Sequence, residues 1–311
     1  GGLAGPLAVG DGAVSALAVL AALLAGAYLV AVLEGWSATG RLRPAGPAVS
    51  AAALLGRESV VPRRPDRVLF EAAPLLLLVS AVLAAAVLPL SPRLVVADLA
   101  TGALFVNAAL AYVMVALLMA GWGPDAAYAM VAGWRFLGQL LGYSMPIVMA
   151  IAAIAMRAES LRNTEVVASQ AALPNALYQP VGFAVFFLAA MCLAFLPPFD
   201  LPTAPGELAG GVEAEYAGAR LAVMRLGRMV LVVALSAAVT VFYLGGWLGP
   251  ALPPWAWSAI KTLAVAAAML LAGRYVPRLR EAQVLAWWWK LGIPLALLNI
   301  FWVGVVLLVA E

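Results

Sequence analysis

The chain has 311 residues, of which 66% are apolar and 11% charged, with a formal net charge of +3. An apolar share this far above the roughly one half of soluble domains excludes a soluble globule and makes this an integral membrane protein. One cysteine, Cys192, and no histidine leave the chain without ligands for histidine-held haem, zinc or iron–sulfur clusters and without a histidine proton relay. If electrons move nearby, another subunit carries the redox centres.

A membrane-spanning helix needs about 20 consecutive apolar residues. Eight stretches qualify, near 12–33, 68–90, 99–120, 136–156, 179–197, 227–248, 256–273 and 291–310. The runs are too long for strands and lack period-two alternation. The expected fold is therefore all-α: a polytopic membrane protein with about eight transmembrane helices, residues 1–311 forming a single integral membrane domain. The opening GGLAGPLAVGDG has no basic residue before its apolar run, so it is read as leading into the first span rather than as a cleaved signal.

Orientation follows from the basic residues, since Lys and Arg gather in cytoplasmic loops. With both termini outside, the inner loops hold Arg41, Arg43, Arg57, Arg63, Arg64, Arg67, Arg135, Arg220, Arg225, Arg228, Arg274, Arg278, Arg280 and Lys290, fourteen of the eighteen. Only Arg93, Arg157, Arg162 and Lys261 fall on the other side.

The first inner loop, Glu34 to Arg67, contains a weak apolar stripe at helical spacing, Val49, Ala52, Ala53, Leu54 and Val60. It reads as a short amphipathic helix on the membrane surface, or as a plain basic anchor that holds topology. Pro62 and Pro65 end it before the second span. Residues 121 to 135, GWGPDAAYAMVAGWR, read as the loop joining spans three and four, with Trp122, Tyr128 and Trp134 as an interfacial belt. Arg135 stands at the mouth of span four, and Gln139 and Tyr143 follow at i+4 and i+8 on one helical face. A polar line on a membrane helix points to protein or water rather than lipid. The segment from Met156 to Pro180 reads as ordinary outer loop. The last inner loop, GRYVPRLREAQVLAWWWK, carries Arg274, Arg278, Arg280 and Lys290 beside three tryptophans. That composition suits interfacial anchoring, or a docking face for an acidic partner.

The stretch that stands apart is Pro197 to Tyr216, PPFDLPTAPGELAGGVEAEY. Four of the fifteen carboxylates lie here, Asp200, Glu207, Glu213 and Glu215, in a segment broken by Pro and Gly between two apolar runs. Irregular backbone in lipid leaves amide groups unsatisfied at several kcal/mol each, so this segment lies at the membrane surface or lines a protein cavity.

These loops together resemble one family, the H subunit of respiratory complex I, called ND1 in mitochondria, with relatives in membrane-bound hydrogenases. The resemblance runs over nearly the whole chain. Its signature, PFDLPEAESEL followed by TEYSG, is matched by Pro198–Pro202, Gly206–Leu208 and Glu213–Gly218, including Tyr216. Flanking matches come in the same order: Gly56–Glu58, Gly121 and Trp122 with Tyr128 and Arg135, Leu244–Trp247, Pro277–Arg280, and Gln283 with Trp289 and Lys290.

The resemblance implies a membrane subunit of an NADH-quinone oxidoreductase with no redox centre of its own. Its inner loops help close a narrow chamber for the quinone headgroup against the peripheral arm. The quinone-chamber and coupling residues it implies are Asp200, Glu207, Glu213, Glu215, Tyr216, Arg135, Arg41, Arg43 and Glu58, with Arg274, Arg278 and Arg280 for peripheral-arm docking. Clustered carboxylates away from water have raised, coupled pKa values, so their protonation responds to charge on a nearby quinone. Quinone is the implied substrate. Flavin and iron–sulfur clusters belong to partner subunits, and the implied partners are other membrane subunits, the quinone-facing peripheral-arm subunits and the lipid bilayer, with no nucleic acid. The implied location is the bacterial inner membrane.

The chain departs from the family pattern in its acids. Thr203 and Pro205 replace two glutamates of the signature, and Gly142-Tyr143-Ser144 stands where a Ser-Tyr-Glu is usual. A hydroxyl can hold a water wire but stores no charge at neutral pH, which implies a weakened or rerouted link to proton pumping. Three alternatives have tests. A hydrogenase-type assembly would be marked by a neighbouring nickel–iron subunit. A transporter would show internal repeats and midplane polar sites, and neither is present. A purely structural anchor would tolerate neutral residues at positions 200 and 207.

Overall fold

Long apolar runs in lipid can satisfy their amides only within a helix, and the computed structural model, which describes residues 9–92 and 94–310, is helical throughout, with no strand among the described residues. Arg93 and the N-terminal lead-in of residues 1–8 lie outside the described residues.

The helices are α1 Val9–Thr39, α2 Gly46–Leu55, α3 Arg67–Ala86, α4 Gly102–Trp122, α5 Ala127–Ala158, α6 Asn163–Ala168, α7 Asn175–Tyr178, α8 Pro180–Leu193, α9 Gly218–Tyr243, α10 Pro254–Tyr275, α11 Glu281–Trp287 and α12 Ile293–Ala310. A single 3₁₀ turn covers Gly211–Glu213, and a π-helical turn, Trp288–Gly292, joins α11 to α12. Among the described residues seven stretches are long and apolar enough to cross a membrane: Ser15–Thr39, α3, α4, α5, α9, α10 and Glu281–Val309. The expected fifth span is the shorter apolar helix α8. Its 14 residues rise only about 21 Å against a hydrocarbon core of roughly 30 Å.

Helix α9 stands at the centre. From Val230 to Tyr243 nearly every side chain is buried, with α1, α3, α8 and α10 packed around it. It starts at Gly218, nine residues before the expected 227. The turn into it needs glycine, because Gly218 has φ +59° and a Cβ there would lie 2.9 Å from the Arg57 carbonyl oxygen. Arg220, Arg225 and Arg228 therefore sit on the first three turns of a helix and not in a loop, and each finds a carboxylate. Arg228 Nη2 lies 3.3 Å from Glu34 Oε1, and Glu34 itself belongs to α1 rather than to the loop expected to begin there.

Three other expectations are corrected. Residues 121–135 are not a loop: α5 starts at Ala127, leaving a turn over 123–126. A Cβ on Gly121 would sit 2.9 Å from the Ala129 carbonyl oxygen, so two glycines, Gly121 and Gly133, let α4 and α5 close up at once. Residues 156–180 are not plain loop, since they form α6 and α7 and bury Asn163, Gln170 and Asn175. Finally, Trp288 is no interfacial anchor. It is fully buried against Gly142, where a Cβ would meet the indole at 3.0 Å. Helix α2 forms where the apolar stripe lay, packed on α1 and α9, with Leu54 buried and Val60 beyond its end.

Candidate functional site

Arginine-rich loops are expected at one face of the membrane, and the ion pairs gather most of the acidic loop at that end of the bundle. The segment after α8 leaves the helix at Ala194 yet stays inside the protein: Ala194, Phe195, Leu196, Phe199, Leu201, Leu208 and Val212 are all buried. Non-helical backbone at this depth is tolerable because protein lines it.

Gln139 supplies one pin. Its amide nitrogen donates to the Cys192 carbonyl oxygen at 3.2 Å and the Phe199 carbonyl oxygen at 3.1 Å, capping the end of α8 and fixing the residue before Asp200. Tyr216 supplies the second. Its ring stacks on Phe70 with centroids 4.4 Å apart, and its hydroxyl donates to the Phe70 carbonyl oxygen. Burial pushes the Tyr216 hydroxyl well above the ordinary tyrosine range, while the Arg220 charge pulls it back only in part.

Between these pins a cleft of about 520 Å³ opens, lined by Arg135, Asp200, Glu207, Arg278, Arg280 and Glu281 with apolar Leu201, Leu279 and Leu285. Asp200 is 8% exposed, and its Oδ2 lies 3.0 Å from Arg278 Nη2. Arg135, on the third turn of α5, bridges two acids: Nη1 is 2.6 Å from Glu207 Oε2 and Nε 3.7 Å from Glu281 Oε2. Three cations and three anions thus line one cavity, and two of the cations, Arg135 and Arg278, pair with the three acids across chain segments that are distant in sequence. A guanidinium presents a planar fork to carboxylate or carbonyl oxygens, so such a cleft can hold a polar, oxygen-bearing ring and redistribute its ion pairs when that ring gains charge.

Of the residues singled out in the sequence, the cleft brings together Arg135, Asp200, Glu207, Arg278 and Arg280. Glu213, Glu215 and Tyr216 lie outside its lining: Glu213 Oε2 is 3.8 Å from Arg225 Nε, and Glu215 has no ion pair among the described residues. The expected cluster of four coupled carboxylates is thus divided, because the chain turns between Glu207 and Glu213 at Ala209 and Gly210, both with positive φ. Arg41, Arg43 and Glu58 are exposed and outside the cleft, and Arg274 donates to the Ser37 carbonyl oxygen at the end of α1. One charged residue of the cleft escaped the sequence, as did an ion pair outside it. Glu281 directly follows Arg280, and that adjacency to the selected arginines was the available signal. The Glu34–Arg228 pair was hidden because both residues read as loop.

The family model described as NADH dehydrogenase matches residues 35–304. The H subunit of the NADH-quinone oxidoreductase of Syntrophotalea carbinolica is 35% identical over 275 residues, covering 86% of this chain and 82% of the relative. Proteins named as the second H subunit of NADH-quinone oxidoreductase show the same 35% identity, over 93% of this chain and 92% of the relative in Syntrophobacter fumaroxidans, and over 96% of both in Geobacter sulfurreducens.

Proposed function

We propose, from the premise that this chain belongs to the NADH dehydrogenase family of complex I membrane subunits, that its charged cleft forms part of the quinone-headgroup chamber of an NADH-quinone oxidoreductase. As a member of that family the chain is a membrane component of the enzyme, and the hydrogenase-type alternative is not favoured by its relatives' names. The observation that carries the chamber reading is the pairing of Asp200 with Arg278 and of Glu207 and Glu281 with Arg135 around one 520 Å³ space. Flavin and iron–sulfur clusters reside in partner subunits of the peripheral arm, which dock on the arginine-rich end through Arg274, Arg278 and Arg280. That end faces the bacterial cytoplasm, with both termini on the outer side of the inner membrane.

When a bound quinone takes up electrons, its negative charge competes for Arg135 and Arg278, and the acids released from them gain affinity for protons. Glu213, Glu215 and Tyr216, with Arg41, Arg43 and Glu58, flank this response beyond the cleft. The outlet is weaker than the family pattern provides, because Ser144 and Thr203 offer hydroxyls where acids are usual, and the Thr203 hydroxyl is engaged with the Asp200 carbonyl oxygen. The test is NADH-driven quinone reduction in vesicles carrying Asp200→Asn and Glu207→Gln. Quinone reduction falls while electron transfer to a water-soluble acceptor persists. Unchanged quinone turnover in an assembled complex would overturn the proposal.

A further inference from the structure

At the end of the bundle opposite the charged cleft, α1, α3, α9 and α10 leave a crevice of about 370 Å³. It exists because of what α1 lacks. Ala18, Ala22, Ala25 and Gly26 recur at helical spacing and line it, while Ala237 of α9 and Ala259 of α10 line the other walls, so no side chain reaches across to fill it. Two of its three hydroxyls are already engaged: Ser258 donates to the Leu90 carbonyl oxygen at 2.6 Å and Thr240 to the Ser236 carbonyl oxygen at 2.9 Å, leaving only Thr262. Water finds too few partners in such a space, and an empty one forfeits the dispersion contacts of its lining.

The surroundings say what fills it. The crevice is bounded by spanning helices, Ala18, Ala22, Ala25 and Leu29 of its lining are exposed on α1, and Leu17, Leu20, Leu24 and Ile260 beside it are exposed as well. It therefore opens onto hydrocarbon. The crevice is open along α1, and among the described residues its lining carries no charged side chain, so an unbranched hydrocarbon chain from the surrounding lipid can lie along the small residues of α1 and restore the contacts they leave unmade. The α9 lining begins at Val233, fifteen residues or roughly 22 Å along the helix from Gly218, so the crevice lies far from the end that carries the charged cleft. We propose that the crevice binds one acyl chain of a membrane phospholipid, retained as a structural lipid between α1 and α10. This inference is independent of the electron-transfer reading.

The experiment uses the assembled complex in its native membrane, loaded with a phospholipid bearing a diazirine near the end of one acyl chain. After illumination, adducts on residues 15–29 and 255–263 are compared with adducts on the exposed face of α12 at Phe301 and Leu308. The expected result is several-fold enrichment at the crevice, lost in Ala22→Phe with the α12 adducts unchanged. Ala259→Leu narrows the same space from α10 and gives the same reading where Ala22→Phe fails to assemble. Equal labelling of crevice and α12, or labelling insensitive to both substitutions, means bulk lipid contact only and overturns the inference. Adducts displaced by excess long-chain quinone assign the crevice to an isoprenoid tail and overturn it equally.

Discussion

The Tyr216 hydroxyl donates to the carbonyl oxygen of Phe70, a carbonyl in the first turn of α3 that the helix cannot satisfy with its usual i+4 donor. Its i+4 partner is Pro74, which has no N–H, so a proline inside one helix creates the acceptor that anchors the end of the acidic loop. Tyr216→Phe keeps the stacked ring but leaves a buried carbonyl unpaired, at a cost of about 1–3 kcal/mol. Pro74→Ala returns the missing donor to the helix, so the Tyr216→Phe penalty shrinks in that background. A double-mutant cycle on the thermal unfolding of the detergent-extracted complex measures the coupling.

The same tyrosine carries a pH prediction. Its folded-state pKa is raised by burial above the ordinary value of 10, so the folded protein holds this proton more tightly than the unfolded chain. The stabilising contribution is complete below pH 10 and is lost as pH rises above it. Unfolding temperatures measured from pH 8 to 11 should fall more steeply for the parent than for Tyr216→Phe above pH 10, and in parallel below it.

Gln139 holds the other end of the loop. Gln139→Leu keeps the volume but strips two buried carbonyl oxygens, those of Cys192 and Phe199, of a donor. A loss of about 2 kcal/mol is expected, together with faster proteolysis between Pro197 and Tyr216, because the residue next to Asp200 is no longer held. Limited proteolysis of the extracted complex reads this out.

Glycines within the loop are not equivalent. Gly211 has φ +56°, and a Cβ there would run into the Pro202 carbonyl oxygen, whereas a Cβ on Gly206 meets nothing within 4 Å. Gly211→Ala therefore disrupts the turn between Glu207 and Glu213 and lowers assembly, while Gly206→Ala stays near the parent, within about 0.5 kcal/mol. Yield of assembled complex and unfolding temperature distinguish the two.

What the sequence disclosed and what it hid divide along physical lines. Long apolar runs revealed the spanning helices, since lipid permits little else. Their starts were missed where arginines occupy the opening turns: Arg220, Arg225 and Arg228 count against a span by hydropathy, yet their long arms reach carboxylates while the backbone stays helical. Asp200, Glu207, Arg135 and Arg278 were legible because charge is conspicuous in an apolar chain. Which acid meets which arginine was not, since Arg135 and Glu207 lie 72 residues apart and meet only once α5 and the loop pack together. Trp288 misled because a tryptophan beside Lys290 reads as interfacial, and only the π-helical turn and the bare face of Gly142 turn it inward.

The most direct measurement is photoaffinity labelling of the assembled complex with a quinone carrying a photoreactive group on its headgroup, followed by peptide mapping. The cleft predicts labels on residues 199–207 and 278–285, removed by excess unlabelled quinone and reduced at least several-fold by Arg278→Ala. Labels confined to other subunits, or labels in the cleft that excess quinone leaves in place, would contradict a quinone-facing role for Asp200, Glu207 and their arginines.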